Sequence, residues 1–279
     1  EEVIKFAKSY NLKYIETGIL HGTITIIYKD VPMEITTFRI DKNCDGRHCE
    51  VEFVKSLAED LLRRDFTINA MAIDTNGNLI DLSEGTLDIE NKKIRTVGDA
   101  KKRFAEDKLR IMRAIRFSTI LDFEIDEDIR YAIREDFIGT LTTESTHYIT
   151  ETPLYYAIDS KPVSTERIHD ELIKILLSPN RIKGINLLDD LEILNEILPE
   201  FIALKGVNQD QIHHPEKDVF IHTIQALNSI TSTNPSIELI LGILLHDIAK
   251  PLTRSFVSDK EIHFYKHEKI GADLSEVIL

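Results

Sequence analysis

Residues 63–71 read RRDFTINAM, with Arg63, Arg64 and Asp65 at the head of an alternating run. Phe66, Ile68, Ala70 and Ala72 alternate with Thr67, Asn69, Met71 and Ile73, and this period of two predicts a half-buried strand over Phe66–Asp74. Guanidinium forks bind phosphate bidentately, and a carboxylate beside them can accept a hydrogen bond from a ribose hydroxyl. An isolated Arg-Arg-Asp is more often a surface ion-pair cluster at a strand end. The case for a phosphate site therefore rests on the surrounding chain.

The 279 residues allow two or three modest domains, and 42% apolar with 29% charged residues is an ordinary globular composition. No apolar run approaches the length of a membrane span, and no signal peptide is visible, so no membrane partner is expected. Cys44 and Cys49 are too few for a disulfide framework and have no nearby Cys or His pair for zinc. Free thiols in a reducing cytosol are expected. A formal net charge of -14 argues against a nonspecific nucleic-acid coat, and DNA is not expected as a partner. The charge is uneven, however: Asn91–Arg116 carries ten Lys or Arg against three acids. That local excess marks a focused anion site.

Residues 1–14 pattern as a short amphipathic helix. The runs ITIIY and MEITTFRI, separated by a Lys-Asp turn, predict a hairpin. Residues 41–50 read as a polar loop, and Ser56 with Glu59 resembles the capping box of a helix over 56–64. The turn Asn76-Gly77 leads to a partner strand at Leu79–Leu82. Beyond Asp99 the spacing becomes helical, with Phe104, Ile111 and Ile115 on one stripe of a helix at 103–117. Helices follow at about 126–134, 164–177, 181–204, 218–230 and 236–248, whereas 137–163 has no readable period. The pattern is a small α/β head ending near residue 90 on a long helical body.

Several side chains in this frame suit chemistry. Asp107 and Arg110, three apart on one helix, can bond each other and still present an acceptor beside a donor fork, the complement of a nucleobase edge. An intrahelical salt bridge is the common alternative. Arg113 and Arg116 continue the basic run toward a triphosphate or RNA backbone. Glu34, between Met33 and Ile35 in a strand, either faces solvent or joins other carboxylates on a divalent metal. His213, His214, His222, His246, Asp247 and His267 are spread over the C-terminal third. His246-Asp247 ends the apolar run ILGILL, where a charged pair needs a partner, either a metal or hydrogen bonds.

Taken in order, TGILHGTITI, EITTFRID, DGRH, VEFV, LLRRDFTINAMAID, LIDLSEGTLDIENKKIRTVGDAKKRFAEDKLRIMRAIRFS and STERIHDELIKILLSPN resemble the class II, bacterial-type tRNA nucleotidyltransferases (CCA-adding enzymes) and their poly(A) polymerase relatives. DVFIHTIQAL, LLHDIAKP and FYKHEKIGADL resemble an appended HD domain. The resemblance spans nearly the whole chain except 137–163. It implies an α/β nucleotidyltransferase head with a partial, mixed sheet, then an all-α neck and body, then an α-helical HD domain. The corresponding ranges are 1–90 for the head, 91–136 for nucleotide-reading neck helices, 164–210 for a helical RNA-binding body and 211–279 for a truncated HD domain, with 137–163 an unassigned insertion.

The implied activity is template-independent addition of C, C and A to a tRNA 3′ end from CTP and ATP, with Mg²⁺. Arg64 and Asp65 match the motif that contacts sugar and triphosphate, Asp107 and Arg110 the motif that reads the base, and Arg113 and Arg116 further nucleotide-site arginines. Glu34 matches a catalytic carboxylate, and Glu166, Arg167 and Glu171 a supporting helix. His222, His246, Asp247 and His267 match the metal ligands of the HD fold and imply a second divalent ion there. The family's Gly-Gly phosphate loop and Asp-x-Asp metal pair lie upstream of residue 1, so this stretch, read as an internal fragment, is not expected to catalyse transfer alone. HDIA stands where HDIG is usual, which weakens the phosphohydrolase reading. The competing readings are a poly(A) polymerase or a CC- or A-adding relative, and an HD phosphohydrolase with an RNA-binding head. A cytoplasmic location is expected.

Overall fold

The computed structural model describes residues 1–45, 49–143, 145–151, 154–209, 218–258 and 261–279. The chain begins with helix α1 (Glu2–Ser9), which buries Ala7 and stops short of residue 14 because Lys13 already enters strand β1 (Lys13–Gly18). The β-branched run Thr23–Tyr28 forms β2, central between β1 and β3 (Val31–Thr36). The expected hairpin thus supplies two strands of a three-stranded antiparallel sheet, laced by threonine hydroxyl pairs Thr17–Thr25 and Thr23–Thr36 at 2.9 Å. The run MEITTFRI is not one strand. It breaks at Thr37-Phe38, and β4 (Arg39–Lys42) pairs instead with β5 (Glu50–Phe53).

That pairing corrects the reading of the cysteines. The antiparallel register sets Lys42 opposite Glu50, which brings Cys44, two residues beyond Lys42, and Cys49, next to Glu50, together as a disulfide with Cα atoms 4.1 Å apart. They are not free thiols.

Helix α2 (Leu57–Leu62) starts as its sequence predicts, with Ser56 Oγ accepting from Glu59 N at 3.4 Å. The strand expected at Phe66–Asp74 shrinks to β6 (Met71–Ile73), preceded by a 3₁₀ turn at Thr67–Asn69. Side-chain chemistry overrides the alternation there. Asp65 accepts from Phe66 N at 2.9 Å and Asn69 Nδ2 at 3.2 Å, while Thr67 Oγ1 donates to buried Asp88 at 2.5 Å. Strand β7 (Leu79–Asp81) pairs with β6, and α3 (Gly85–Glu90) follows, entered through Gly85 because any Cβ there would fall on the Thr67 carbonyl.

Strand β8 (Lys93–Ile94) leads to α4 (Ala100–Glu106), capped by Asp99, and then to α5 (Leu109–Leu121). Strand β9 (Glu124–Ile125) returns to pair in parallel with β8, and Asp126 caps α6 (Glu127–Ala132). The stretch without a readable period contains an antiparallel hairpin, β10 (Ser145–Glu151) and β11 (Leu154–Ser160). Helices α7 (Thr165–Leu177) and α8 (Arg181–Asp190) pack on α5. Short α9 (Leu194–Ile197) and α10 (Pro199–Ile202) precede α11 (Val219–Asn228), α12 (Ile237–Leu245) and α13 (Lys250–Thr253). Hairpin β12 (Arg254–Ser258) with β13 (Glu261–Phe264) and helix α14 (His267–Ile278) complete the described chain.

Helix α5 is the hub. Ile111, Met112, Ala114 and Ile115 are wholly buried, in one apolar cluster that runs from Phe66 to Ile248. Each such large side chain contributes about 1.5–3 kcal/mol, so the position of α5, and of the residues on its rim, is strongly determined. No described helix is long and apolar enough to cross a membrane.

Candidate functional site

A polar cavity of about 760 Å³ opens where the head meets α5. It is lined by Glu34, Arg39, Asp41, Arg63, Arg64, Asp65, Asn69, Asp107, Arg110, Arg113 and Phe117, and its volume is within the range of small-ligand sites. The structure thus gathers Glu34, Arg64, Asp65, Asp107, Arg110 and Arg113, which are scattered over eighty residues of sequence. Glu34 reaches it from exposed β3.

Arg39, Arg63 and Arg64 are held by one buried carboxylate that sequence reasoning passed over. Asp60, on α2, accepts from Arg63 Nε at 3.0 Å and Nη2 at 2.8 Å, from Arg64 Nη2 at 3.1 Å and from Arg39 N at 3.2 Å. Burial opposes its ionisation, but the hydrogen bonds from Arg63 and Arg64 outweigh that and hold its carboxyl below the ordinary range. Its spacing of three and four from the two arginines, on a capped helix, is the signal that could have found it. Arg39 and Asp41 carry no such signal, because only the break after β3 turns them inward. Burial and the nearby Arg63 lower the Arg39 pKa. Arg39 Nε and Arg64 Nε are buried without hydrogen-bond partners among the described residues.

Across the cavity, Arg113 Nε and Nη2 donate to Asp65 Oδ2 at 2.8 and 2.5 Å. Burial again raises the Asp65 pKa, yet the Arg113 charge and hydrogen bonds win and lower it. Phe117 forms the apolar edge, packed edge-on against Phe66 at 5.7 Å.

The Asp107–Arg110 expectation needs correction in its geometry. There is no single helix over 103–117: α4 ends at Glu106, and Asp107 is extended, with φ -153. The cause is local. Glu106 takes both neighbouring arginines, Arg103 Nη2 and Arg110 Nη1, each at 2.7 Å. Asp107 is left to accept from Leu109 N at 3.1 Å and from Arg167 Nη2 at 2.8 Å. The two side chains therefore face the same cavity without bonding to each other. Arg116 does not line it: its Nε is bonded to buried Glu171, and its guanidinium lies 4.0 Å over the Phe117 ring. Arg167 and Glu171 on α7 thus brace Asp107 and Arg116, while Glu166 is exposed on the first turn of that helix.

A second cluster lies in the C-terminal third. Ligand atoms of His222, His246 and Asp247 lie within 4.8 Å of one another, and His267 Nε2 is 3.6 Å from Asp247 Oδ1. His246 Nδ1 and His267 Nδ1 each face a backbone carbonyl at 2.7 Å, which assigns a proton to each Nδ1 and turns both Nε2 atoms toward Asp247, that of His246 at 3.0 Å from Oδ2. Lys250 Nζ donates to Asp247 Oδ2 at 2.7 Å and to Gln209. Burial works against the Asp247 charge, but hydrogen bonds from His246 and Lys250 bring its pKa down to about 2. The bond to Asp247 raises that of His246. The donor set suits a divalent ion. In the head, by contrast, the described residues bring no three such ligands together, and Glu34 supplies a single carboxylate. His213 and His214 lie outside the described residues.

Residues 1–95 match the Poly A polymerase head domain family, and residues 161–204 match a probable RNA and SrmB-binding site of polymerase A. The CCA-adding enzyme of Lactobacillus helveticus is 39% identical over 206 residues, covering 73% of this chain and 45% of the relative. That of Enterococcus faecalis is 42% identical over 173 residues, covering 61% and 38%. The chain spans less than half the length of these curated relatives. Among solved structures, the Bacillus stearothermophilus CCA-adding enzyme in complex with CTP superposes with a TM-score of 0.58 at 28% identity, over 95% of this chain and 54% of that one. By motif order, by sequence and by fold, the chain belongs to the class II family of tRNA nucleotidyltransferases and poly(A) polymerases.

Proposed function

We propose that the chain carries the nucleotide-selecting part of a cytoplasmic tRNA CCA-adding nucleotidyltransferase, which takes CTP and ATP and extends a tRNA 3′ end. The observation that carries this is the cavity itself, where arginines fixed by Asp60 face Asp107 and Arg110 across a space of nucleotide size. Arg39, Arg63 and Arg64 offer donors to phosphate oxygens. Asp65, oriented by Arg113 and Asn69, accepts from a ribose hydroxyl. Cytosine and adenine both present an amino donor beside a ring-nitrogen acceptor on the Watson–Crick edge. Asp107 complements the donor and Arg110 the acceptor, whereas guanine and uracil present the reverse order. Arg167 and Glu106 hold these two readers before a base arrives, so little ordering is left to binding.

The family generally uses divalent metals, and Mg²⁺ is the ion proposed here. Glu34 offers it one carboxylate, and the described residues do not complete its shell. The steps assigned to the chain are therefore binding, orientation and base choice.

Nucleotide addition to tRNA lacking its 3′ terminus tests the reading, using the complete natural protein with CTP and ATP separately and together. Ordered addition of C, C and A, reduced at least a hundredfold in Asp107→Ala, is the expected outcome. Untemplated poly(A) from ATP alone would move the assignment to the poly(A) polymerase relatives.

The His222, His246, Asp247 and His267 cluster favours a second reading alongside the first, an HD-type site for a divalent ion that would polarise a phosphate ester. After chelator treatment, Mn²⁺ should raise Tm by a few degrees in the wild type and not in His246→Ala. Equal shifts in both would remove the metal site.

A further inference from the structure

The 137–163 stretch is tied to both rims of the nucleotide cavity, and nothing in the nucleotide chemistry requires it to be. On the neck side the tie is Lys108, the neighbour of base-reading Asp107. It is wholly buried, and its ammonium donates to the carbonyl oxygens of Thr140 and Thr143, both at 2.7 Å. A buried ammonium costs several kcal/mol in desolvation unless it is well satisfied. An apolar side chain would fill the same space without that cost. The lysine is therefore best understood through what it holds, which is the segment Thr140–Thr143.

That segment is rigidly seated. Leu141 and Phe137 are each 1% exposed, and Val163 N donates to Leu141 O at 2.8 Å, so the outgoing and returning chains are joined at their root. The returning chain then reaches the head. Lys161 N donates to Asp45 O at 2.6 Å, and Lys161 Nζ meets Asp45 Oδ2 at 2.6 Å. Asp45 follows Cys44 of the disulfide, four residues beyond cavity-lining Asp41. A continuous path of bonded groups thus runs from Asp107 through Lys108, Thr140, Leu141, Val163 and Lys161 to the β4 rim.

We propose that Lys108 and the Asp45–Lys161 pair are positioning residues, which use the 139–143 and 161–163 segments as a strap to fix the separation between the base-reading kink and the β4 rim of the cavity. The proposal rests on the nucleotide reading given above. It assigns the strap a share in nucleotide affinity, with no part in the chemical step.

The Asp45–Lys161 pair is the better place to cut, because exposed ion pairs contribute little to stability, commonly below about 1 kcal/mol. Lys161→Ala and the exchange variant Asp45→Lys/Lys161→Asp are compared with the wild type in three readouts: Tm, hydrogen exchange at the 39–45 amides, and Kd for CTP and ATP. Lys161→Ala should leave Tm unchanged, speed exchange at 39–45, and weaken both nucleotides three- to tenfold. The exchange variant should recover most of that loss. In the complete protein, KM should rise with kcat unchanged. Lys108→Met, which removes the ammonium and keeps the stem, should weaken nucleotide binding by at least as much. Unchanged exchange at 39–45, or faster exchange with Kd within twofold of wild type, overturns the strap. Failure of the wild type to bind either nucleotide overturns the function proposed above, and the exchange rates still decide whether the strap exists.

Discussion

Asp65 shows how one side chain does several jobs. Its carboxylate bonds the Arg113 guanidinium, Asn69 and the Phe66 amide at once, and so shapes the turn that follows and aims the cavity wall. Asp65→Asn should cost about 1–3 kcal/mol at neutral pH, since charge-assisted bonds are lost from a mostly buried site. The sign with pH follows from its lowered pKa. A carboxyl whose folded pKa is depressed contributes stability above its unfolded pKa and loses it as pH falls through the folded value. The gap between wild type and Asp65→Asn in urea unfolding should therefore be full above about pH 5 and shrink below about pH 4. A gap that is constant from pH 7 to pH 3 would contradict the assignment. The residue scale was also the most readable in the sequence. Arg64, Asp65, Asp107, Arg110 and Arg113 stand in contiguous motifs and share one cavity. Asp60 and Phe117 escaped notice because one resembles any helix acid and the other any core aromatic. Arg116 shares the basic run but turns to Glu171, a partner 55 residues away that no local pattern reveals.

At the scale of elements, α7 matches its expected span between Ser164 and Pro179, whereas the single helix expected over 181–204 is broken into α8, α9 and α10, with Glu192 in the left-handed region and Pro199 opening α10. Other elements differ too. The β6 strand lost two thirds of its expected length to the Asp65 and Thr67 side chains, and the helix through 103–117 breaks where the Asp107 carboxylate takes the Leu109 amide and Arg167. In these last two cases side-chain hydrogen bonds outweigh a hydrophobic period that is only five to ten residues long. Packing of α8 on α5 depends on Gly184, where a Cβ would come within 2.7 Å of Thr119 Oγ1 and still closer to Ile175. Gly184→Ala should cost about 1–3 kcal/mol through this overlap, against the gain in helix propensity that alanine normally brings. A lower urea midpoint at unchanged m-value is the expected result. A stabilised variant would mean that the α5–α8 contact is looser than described.

For the molecule as a whole, the order of an α/β head before a helical body was legible, because the hydrophobic period changes from 2 to 3.6 near residue 99 and returns to the longer value after 137–163. The three-stranded sheet, the disulfide and the hairpin in 137–163 were not, since each depends on which strands meet. The parallel bridge between β8 and β9 is another such meeting. Glu124 N donates to Lys92 O at 2.7 Å and Asp126 N to Ile94 O at 3.0 Å, so the stretch carrying α4 and α5 starts and finishes at one place. A helix clipped at both ends cannot swing as a jaw without tearing that bridge and the core beneath it. Under the function proposed above, adjustment to a one-ring or a two-ring base is then local to the 107–110 kink rather than a slow collective closure. In that sense α4 and α5 are a gauge against which bases are measured.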